Sequence, residues 1–233
     1  MNTAHSIIVD YPIDYNKYPL AEKEKIFKVE LNKNEYLVIP KYWFHWVYTE
    51  PNTIAVSYEI PSVKFKEFDN NFYKSIYISN PYKGVKNNID FKYNDFINNS
   101  LNDDFLSIIS ETNDCAPVIK NNLKKNYYKN TLSNIIEKNK ENYVYVGYND
   151  IPKNSMLNSI IHITTLIDRN FYNDIYYKTT VWFTLDKIIN SGLHHDHTNN
   201  ILYVLDGKKT IYLLHPNSIP NLYKKNMPSI RHI

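Results

Sequence analysis

Short hydrophobic runs separated by polar turns dominate the first quarter of the chain. Between Ile26 and Ile60 these runs are rich in β-branched and aromatic residues, and Pro40 and the segment 50–52 interrupt them. Short runs of this composition, bounded by turn residues, are typical of strands. The pattern therefore predicts a meander of antiparallel strands over residues 26–60, which supplies at most half of a β-barrel.

The middle of the chain has a different periodicity. Within residues 91–112 apolar side chains recur at three- and four-residue spacing, which predicts one amphipathic helix or two short ones; they are Phe96, Ile97, Leu101, Phe105, Ile108 and Ile109. Further helices are expected at 122–139 and 155–168. Strands are expected at 75–79, 116–119, 143–146 and 180–183.

Length and composition indicate one globular domain. The 233 residues are 43% hydrophobic and 22% charged with only four glycines, so neither a disordered nor a fibrous class is favoured. The sequence shows no signal peptide and no apolar run long enough for a membrane helix, so no membrane partner is expected. The single cysteine, Cys115, agrees with a reducing compartment. We expect an intracellular protein, either cytoplasmic or nuclear.

The net charge does not point to nucleic acid. The formal charge is +3, and the lysines are scattered among asparagines and tyrosines rather than gathered in a block. The 22 tyrosines and the many Asn, Lys and Ile residues indicate the bias of an AT-rich genome. We therefore expect a large DNA virus or a protist as the source.

The candidate chemistry lies in the last quarter, where His194 and Asp196 are two residues apart at the edge of a predicted strand. Residues i and i+2 of a strand point to the same face. An imidazole and a carboxylate presented together are two of the three ligands of a facial Fe(II) site. His45 is the candidate third ligand. The alternative pair, His195 and His197, would share the opposite face.

The motifs around these residues resemble a known family. Leu-Val-Ile-Pro, Trp-Phe-His and Ile-Ala-Val-Ser, at 37–40, 43–45 and 54–57, are similar to the closing half of a JmjC-type, cupin-like 2-oxoglutarate oxygenase. The opening half of that family resembles the residues at 193–196, 200, 207–209, 215–216 and 222–223. The resemblance implies a mainly β fold, a double-stranded β-helix (jelly roll or cupin) with flanking α-helices.

The two halves occur in the reverse of the usual family order. Circular permutation explains this order: residues 1–60 form the closing half with the third metal ligand, 61–90 are the linker, and 91–233 contain the helices and the opening half. Permutation needs original ends that lie close together. The alternative is a homodimer in which each chain donates one half of the site to its neighbour.

The resemblance also implies the cofactors and their contacts. Fe(II) would be held by His45, His194 and Asp196, with 2-oxoglutarate as cosubstrate and no catalytic residue beyond the ligands. Lys209 would bind the distal carboxylate of 2-oxoglutarate, whereas Lys208 should face outward because side chains alternate along a strand. The further cosubstrate-binding positions are Tyr145, Ser191, Asn200 and Ser57.

One of these assignments has an alternative. Tyr145 could equally be a cross-strand aromatic side chain. His5, His162, His215 and His232 have no partner pattern that implies a ligand, and we interpret them as structural or surface residues. Trp43, Trp46 and Trp182 are expected in the core, with Trp43 packing beside the third ligand.

The function implied by the resemblance is hydroxylation of a protein side chain, with succinate and carbon dioxide as coproducts. A substrate N-methyl group would instead be demethylated. The first alternative is an RNA-modifying oxygenase. The second is a catalytically silent cupin that acts as a binding module for a partner.

Overall fold

Two antiparallel β-sheets face each other in the computed structural model, which describes residues 4–8, 10–60, 80–85, 90–113, 126–150, 157 and 178–225. The strands in chain order are β1 Ala4–Ser6, β2 Ile26–Asn32, β3 Glu35–Ile39, β4 Phe44–Thr49, β5 Ile54–Ile60, β6 Tyr82–Val85, β7 Asp104–Ser110, β8 Asn126–Thr131, β9 Tyr143–Asp150, β10 Lys178–Thr184, β11 Ile189–Asn190, β12 His194–His195, β13 Asn199–Asp206, β14 Lys208–Leu214 and β15 Lys224–Lys225. The helices are α1 Tyr93–Asn99 and α2 Leu132–Lys138, with 3-10 turns at Pro19–Lys23 and Pro216–Asn221.

The first sheet has the strand order β15-β1-β12-β4-β14-β2, with β11 also paired to β4. The second sheet has the order β6-β3-β13-β5-β10-β9-β7-β8. Strands from the beginning and the end of the chain are neighbours in both sheets. This architecture agrees with the mainly β jelly-roll fold that the sequence predicts.

The strands predicted over residues 26–60 are present, but the predicted meander is wrong. β2 and β4 belong to the first sheet, whereas β3 and β5 belong to the second, so consecutive strands lie in opposite layers. Each pairs with a strand from the last quarter of the chain: β2 and β4 pair with β14, and β3 and β5 pair with β13. Apolar alternation identifies a strand but not its partner, and this pairing is non-local.

Apolar side chains fill the space between the sheets. The inner layer contains Leu31, Leu37, Ile39, Trp43, Val47, Ala55, Leu202, Val204, Ile211 and Leu213. The outer face of the second sheet is covered by α1 and α2 through Phe96, Leu132 and Ile135. The outer face of the first sheet packs Phe44 and Trp46 against residues of the N-terminal segment such as Ile8 and Ile13. Alternate residues of β4 therefore serve two different cores.

The helix predicted at 91–112 is correct only in its first part. Residues 93–99 form α1, whereas Phe105, Ile108 and Ile109 lie on β7. This strand is buried on both faces, since Phe105 packs beneath the helices and Ile108 packs beside Tyr145. A strand buried on both faces lacks the polar alternation that would distinguish it from a helix.

The other predicted elements have mixed outcomes. Of the helix predicted at 122–139, residues 126–131 form β8 and 132–138 form α2. The strands predicted at 143–146 and 180–183 are confirmed within β9 and β10. The strands predicted at 75–79 and 116–119, and the helix predicted at 155–168 apart from Leu157, lie outside the described residues.

Part of the linker predicted at 61–90 is a strand, because β6 pairs with β3 at the edge of the second sheet. Trp43 and Trp46 are buried, as expected of core residues, whereas Trp182 is half-buried and packs at the edge of a small cluster with Tyr145. Among the described helices, none has the length and apolar character that crossing a membrane would require.

Candidate metal centre

A cross-strand pair of histidines on the inner face of the first sheet forms the base of the site. His45 of β4 and His194 of β12 are directly opposite each other, with their ring centroids 4.2 Å apart. Asp196 follows β12 and brings its carboxylate to the same place. One potential ligand atom from each of the three residues lies within 4.8 Å of the others.

Backbone carbonyls orient both imidazoles. Nδ1 of His45 is 2.9 Å from the carbonyl oxygen of Trp43, and Nδ1 of His194 is 2.9 Å from that of Gly192. A carbonyl oxygen only accepts hydrogen bonds, so each Nδ1 must be the protonated nitrogen. Each Nε2 then keeps its lone pair, which is the form that binds a metal.

Burial keeps His45 in its neutral form. Desolvation of the ring, followed by the charge of His194, holds the pKa of His45 well below its usual range. Its Nε2 lies 3.7 Å from Oδ2 of Asp196, which would be an ion pair only if the ring were protonated. Because the ring is neutral, this approach brings two ligand atoms together and leaves the carboxylate charge available for a cation.

Two further contacts orient Asp196. Nδ2 of Asn200 donates a hydrogen bond of 2.6 Å to Oδ2 of Asp196, and the backbone N–H of Tyr42 donates one of 2.8 Å to its carbonyl oxygen. Asn200 faces inward at the start of β13 and is buried. The predicted cosubstrate-lining residue is therefore also bonded to a candidate metal ligand.

The alternative pair has different surroundings. His195 lies on the opposite face of β12, where its ring packs 4.7 Å from that of Phe44, and the rings of His195 and His197 are 5.1 Å apart. Within the described ranges, the one group of three side chains that could hold a metal is His45, His194 and Asp196. The arrangement favours the 194/196 register. It also forms within one chain, so strand exchange between subunits is not required.

Lys209 lies deeper between the sheets. In β14 it is opposite Thr49, whereas Leu213 of the same strand is opposite His45, so one inward residue, Ile211, separates Lys209 from the ligand row. The Lys209 side chain is fully buried. Lys208 faces outward and pairs with Glu30, as strand alternation predicts.

The ammonium group of Lys209 has a polar neighbour and an aromatic one. Its Nζ donates a hydrogen bond of 2.9 Å to Oγ1 of Thr49 and lies 5.6 Å from the ring centre of Tyr145. Burial lowers the pKa of Lys209 to about 7. In the parts of the chain that the structure describes, no acidic side chain forms an ion pair with this group.

The chain matches the family model of the cupin-like domain over residues 2–58 and 64–232. The chain belongs to this cupin-like family. A similar protein, the putative JmjC domain-containing protein L887 of Acanthamoeba polyphaga mimivirus, is 26% identical over 90% of this chain and 37% of its own length. JmjC domain-containing protein C of Dictyostelium discoideum is 42% identical over 45 residues, which are 19% of this chain and 11% of that protein. No solved structure gave a significant match.

These comparisons confirm the resemblance to JmjC-type cupins, and the viral homologue is consistent with a viral source. This cupin-like domain spans only about a third of the viral relative and about a tenth of the Dictyostelium one. Along the chain, His45 on β4 precedes His194 on β12. That this order arose by circular permutation stays a prediction.

The donor set of this cupin-like domain fits an Fe(II) ion. Two imidazoles and one carboxylate on a single face are the ligand types of the facial triad, which leaves other coordination positions of the ion open. The buried amine of Lys209 lies on the same inner face, bonded to Thr49. The structure thus brings together the three predicted ligands and places Lys209 beyond them.

The remaining predicted cosubstrate residues have different environments. Tyr145 is buried and faces inward beside Lys209 and Trp182. Ser57 occupies an inward position of β5, two residues from Ala55 of the inner core. The hydroxyl of Ser191 accepts a hydrogen bond of 3.1 Å from the backbone N–H of Val47, which ties it to β4.

Sequence reasoning missed two residues at this site. Thr49 supplies the hydroxyl that contacts Lys209, and His5 packs against the ring of His194. Thr49 could have been found from the sequence. It lies at an even spacing from His45 in the same strand, so both side chains point to the same face. Nothing near His5 in the sequence indicates its neighbour, because β1 and β12 are distant in the chain.

Removal of any one ligand should abolish metal binding. We expect His45→Ala, His194→Ala and Asp196→Ala each to weaken Co²⁺ affinity by at least about 100-fold, since the removed atom bonds the ion directly. Titration of the visible Co²⁺ absorption measures this affinity. The matched control is His197→Ala, which should leave the affinity unchanged; an equal loss in that variant would contradict the assigned register.

Proposed function

We propose that this cupin-like domain is an Fe(II)- and 2-oxoglutarate-dependent oxygenase that hydroxylates a protein side chain. The observation that supports this proposal is the combination of a two-histidine, one-carboxylate cluster with a buried lysine on the same inner face, beside which the described residues include no acidic side chain. A metal-binding module without a cosubstrate has no need for such a lysine. The cation is unfavourable in an apolar interior unless an anion binds it.

When bound, Fe(II) would supply the chemistry by which dioxygen oxidises both 2-oxoglutarate and the substrate; one oxygen atom enters succinate, formed with carbon dioxide, and the other converts a substrate C–H bond to an alcohol. The residues of the chain determine geometry and charge. His45 and His194 offer Nε2 because backbone carbonyls hold each Nδ1, and Asn200 orients the carboxylate of Asp196.

Lys209 determines the preferred cosubstrate class. Its ammonium group, bonded to Thr49, would bind the distal carboxylate of a dicarboxylic acid, and the ring of Tyr145 covers one side of it. Asn200, Ser57 and Ser191 are the further residues that we assign to the cosubstrate. A buried charge-assisted contact of this kind is stronger than a neutral hydrogen bond.

The choice of a protein over RNA rests on surface charge. Several lysines of the described surface pair with glutamates: Lys28 and Lys208 contact Glu30, and Lys83 contacts Glu35. Basic side chains neutralised in this way do not form the basic stripe that binds phosphates. A protein side chain is therefore the substrate that we propose.

Anaerobic titration tests the function. Adding Fe(II) and then 2-oxoglutarate should produce the weak visible metal-to-ligand band of this class, and admission of oxygen should yield succinate. The Asp196→Ala variant should give neither signal. Absence of both signals in the wild type would refute the proposal, and metal binding without affinity for 2-oxoglutarate would favour the silent binding module.

Replacing Lys209 should weaken cosubstrate binding and, at the same time, stabilise the fold. We expect Lys209→Met to weaken 2-oxoglutarate binding by about 10- to 100-fold, since a hydrogen bond to a charged group contributes about 1.5–3 kcal/mol. The same change should raise the melting temperature, because it removes a buried charge. The gain in the free energy of unfolding should be largest below pH 7, where Lys209 is charged in the folded protein. It should vanish towards pH 10.5, where the lysine of the unfolded chain also loses its proton.

Calorimetry and thermal denaturation measure these two effects. Lys208→Met, at the neighbouring outward position, is the matched control and should leave cosubstrate affinity unchanged. Equal cosubstrate affinity in the Lys209→Met variant and the wild type would contradict the role assigned to Lys209.

Cosubstrate binding should take up a proton above neutral pH. The pKa of Lys209 in the free protein is about 7, and the bound carboxylate requires the ammonium form. Uptake should therefore approach one proton per site at pH 8 and fall towards zero at pH 6. Calorimetry with Mn²⁺ in place of iron, in buffers of different ionisation enthalpy, measures it. The Lys209→Met variant should lose this pH dependence, and constant uptake in the wild type would count against the proposed contact.

A further inference from the structure

Three histidines form one continuous row across the first sheet. His5 of β1 is directly opposite His194 of β12, and His194 is directly opposite His45 of β4. Directly opposed residues on neighbouring strands point to the same face. His5 therefore lies on the same inner face as the two imidazole ligands, on the side of His194 away from His45.

The ring of His5 packs against the ring of His194. Their centroids are 5.5 Å apart and their planes are inclined by only 23°, which is a stacked arrangement. The rings of His194 and His45, in contrast, are inclined by 55° at 4.2 Å. His5 is almost completely buried, with 3% of its surface exposed, whereas His194 is half-buried.

A single hydrogen bond does not determine the orientation of an imidazole. The bond from Nδ1 of His194 to the carbonyl oxygen of Gly192 holds one edge of the ring but allows it to tilt about that bond. A second ring stacked on its face opposes this tilt. Contacts that orient a metal ligand commonly change metal affinity by 10- to 100-fold when they are removed.

Strand β1 is held in place by contacts that do not involve the ring of His5. The backbone N–H of Ser6 donates a hydrogen bond of 2.9 Å to the carbonyl oxygen of Leu193, and the hydroxyl of Ser6 bonds to the carbonyl oxygen of Leu222. Ile8 then packs in the same outer core as Leu193 and Phe44. The chain thus fixes β1, and β1 presents His5 to the ligand.

From this row we infer that His5 is a positioning residue that orients His194 for metal binding, so that docking of the N-terminal strand and metal affinity are coupled. The inference rests on the metal centre of the proposed function. Because coupling between two equilibria is reciprocal, a bound metal should also stabilise the docked strand.

Three variants test the role of the ring. His5→Ala removes it and should weaken Co²⁺ affinity by about 10-fold or more, with a changed visible Co²⁺ spectrum. His5→Phe keeps a flat ring without nitrogen atoms and should stay within about 3-fold of the wild type. His195→Ala is the matched control, since it removes an equally buried histidine that faces the opposite side of β12 and pairs with β1.

The control should lose thermal stability but keep its metal affinity and spectrum. Unchanged affinity in His5→Ala would overturn the inference, and so would an equal loss in His195→Ala. Equal losses in His5→Ala and His5→Phe would also overturn it, because a stacked ring alone would then not suffice. A wild-type domain that binds no divalent metal would refute both the inference and the proposed function.

Hydrogen exchange tests the coupling without any activity measurement. Saturating Co²⁺ should slow exchange of the backbone amides of Ser6 and Ile7 by about 10-fold in the wild type, because these amides bond to Leu193 and Tyr223. The His5→Ala variant should lose most of this effect. Exchange that is insensitive to metal in the wild type would contradict the coupling.

Discussion

The site depends on the register between two strands of the first sheet. His45 and His194 converge because β4 and β12 pair with these residues directly opposite each other on the inner face. A slip of one residue would send one imidazole to the outer face. The apolar pattern of β4 opposes such a slip, since Val47 packs in the inner core while Phe44 and Trp46 pack in the outer one. The core packing that fixes the orientation of β4 therefore also fixes the orientation of its metal ligand.

The interior layer contains the carboxylate of Asp196 and the amine of Lys209, and the charge of each is unfavourable without a ligand. The carboxylate of Asp196 lies beside the neutral ring of His45, and the ammonium of Lys209 has a hydroxyl but, among the described residues, no acidic side chain beside it. A cation at the first position and an anion at the second would each remove an uncompensated charge. Ligands that bind only the folded state stabilise it, so this domain should be more stable when loaded.

The sequence predicted individual strands better than their neighbours. Alternation and β-branched composition identified β9 and β10, and the same evidence identified the strands between Ile26 and Ile60. The predicted meander and the second part of the helix at 91–112 were wrong. In both cases the decisive information was tertiary: two layers cover both faces of β7, and long-range pairing places β2 to β5 alternately in opposite sheets.

The sequence alone determined what depends on spacing within one extended segment. The two-residue step from His194 to Asp196, and the inward and outward orientations of Lys209 and Lys208, follow from alternation along the backbone. Tertiary structure decided which strands are neighbours. It placed His45 and His5 on either side of His194, and it placed Thr49 beside Lys209. Hydrogen bonds between strands that are distant in the chain determine these pairs.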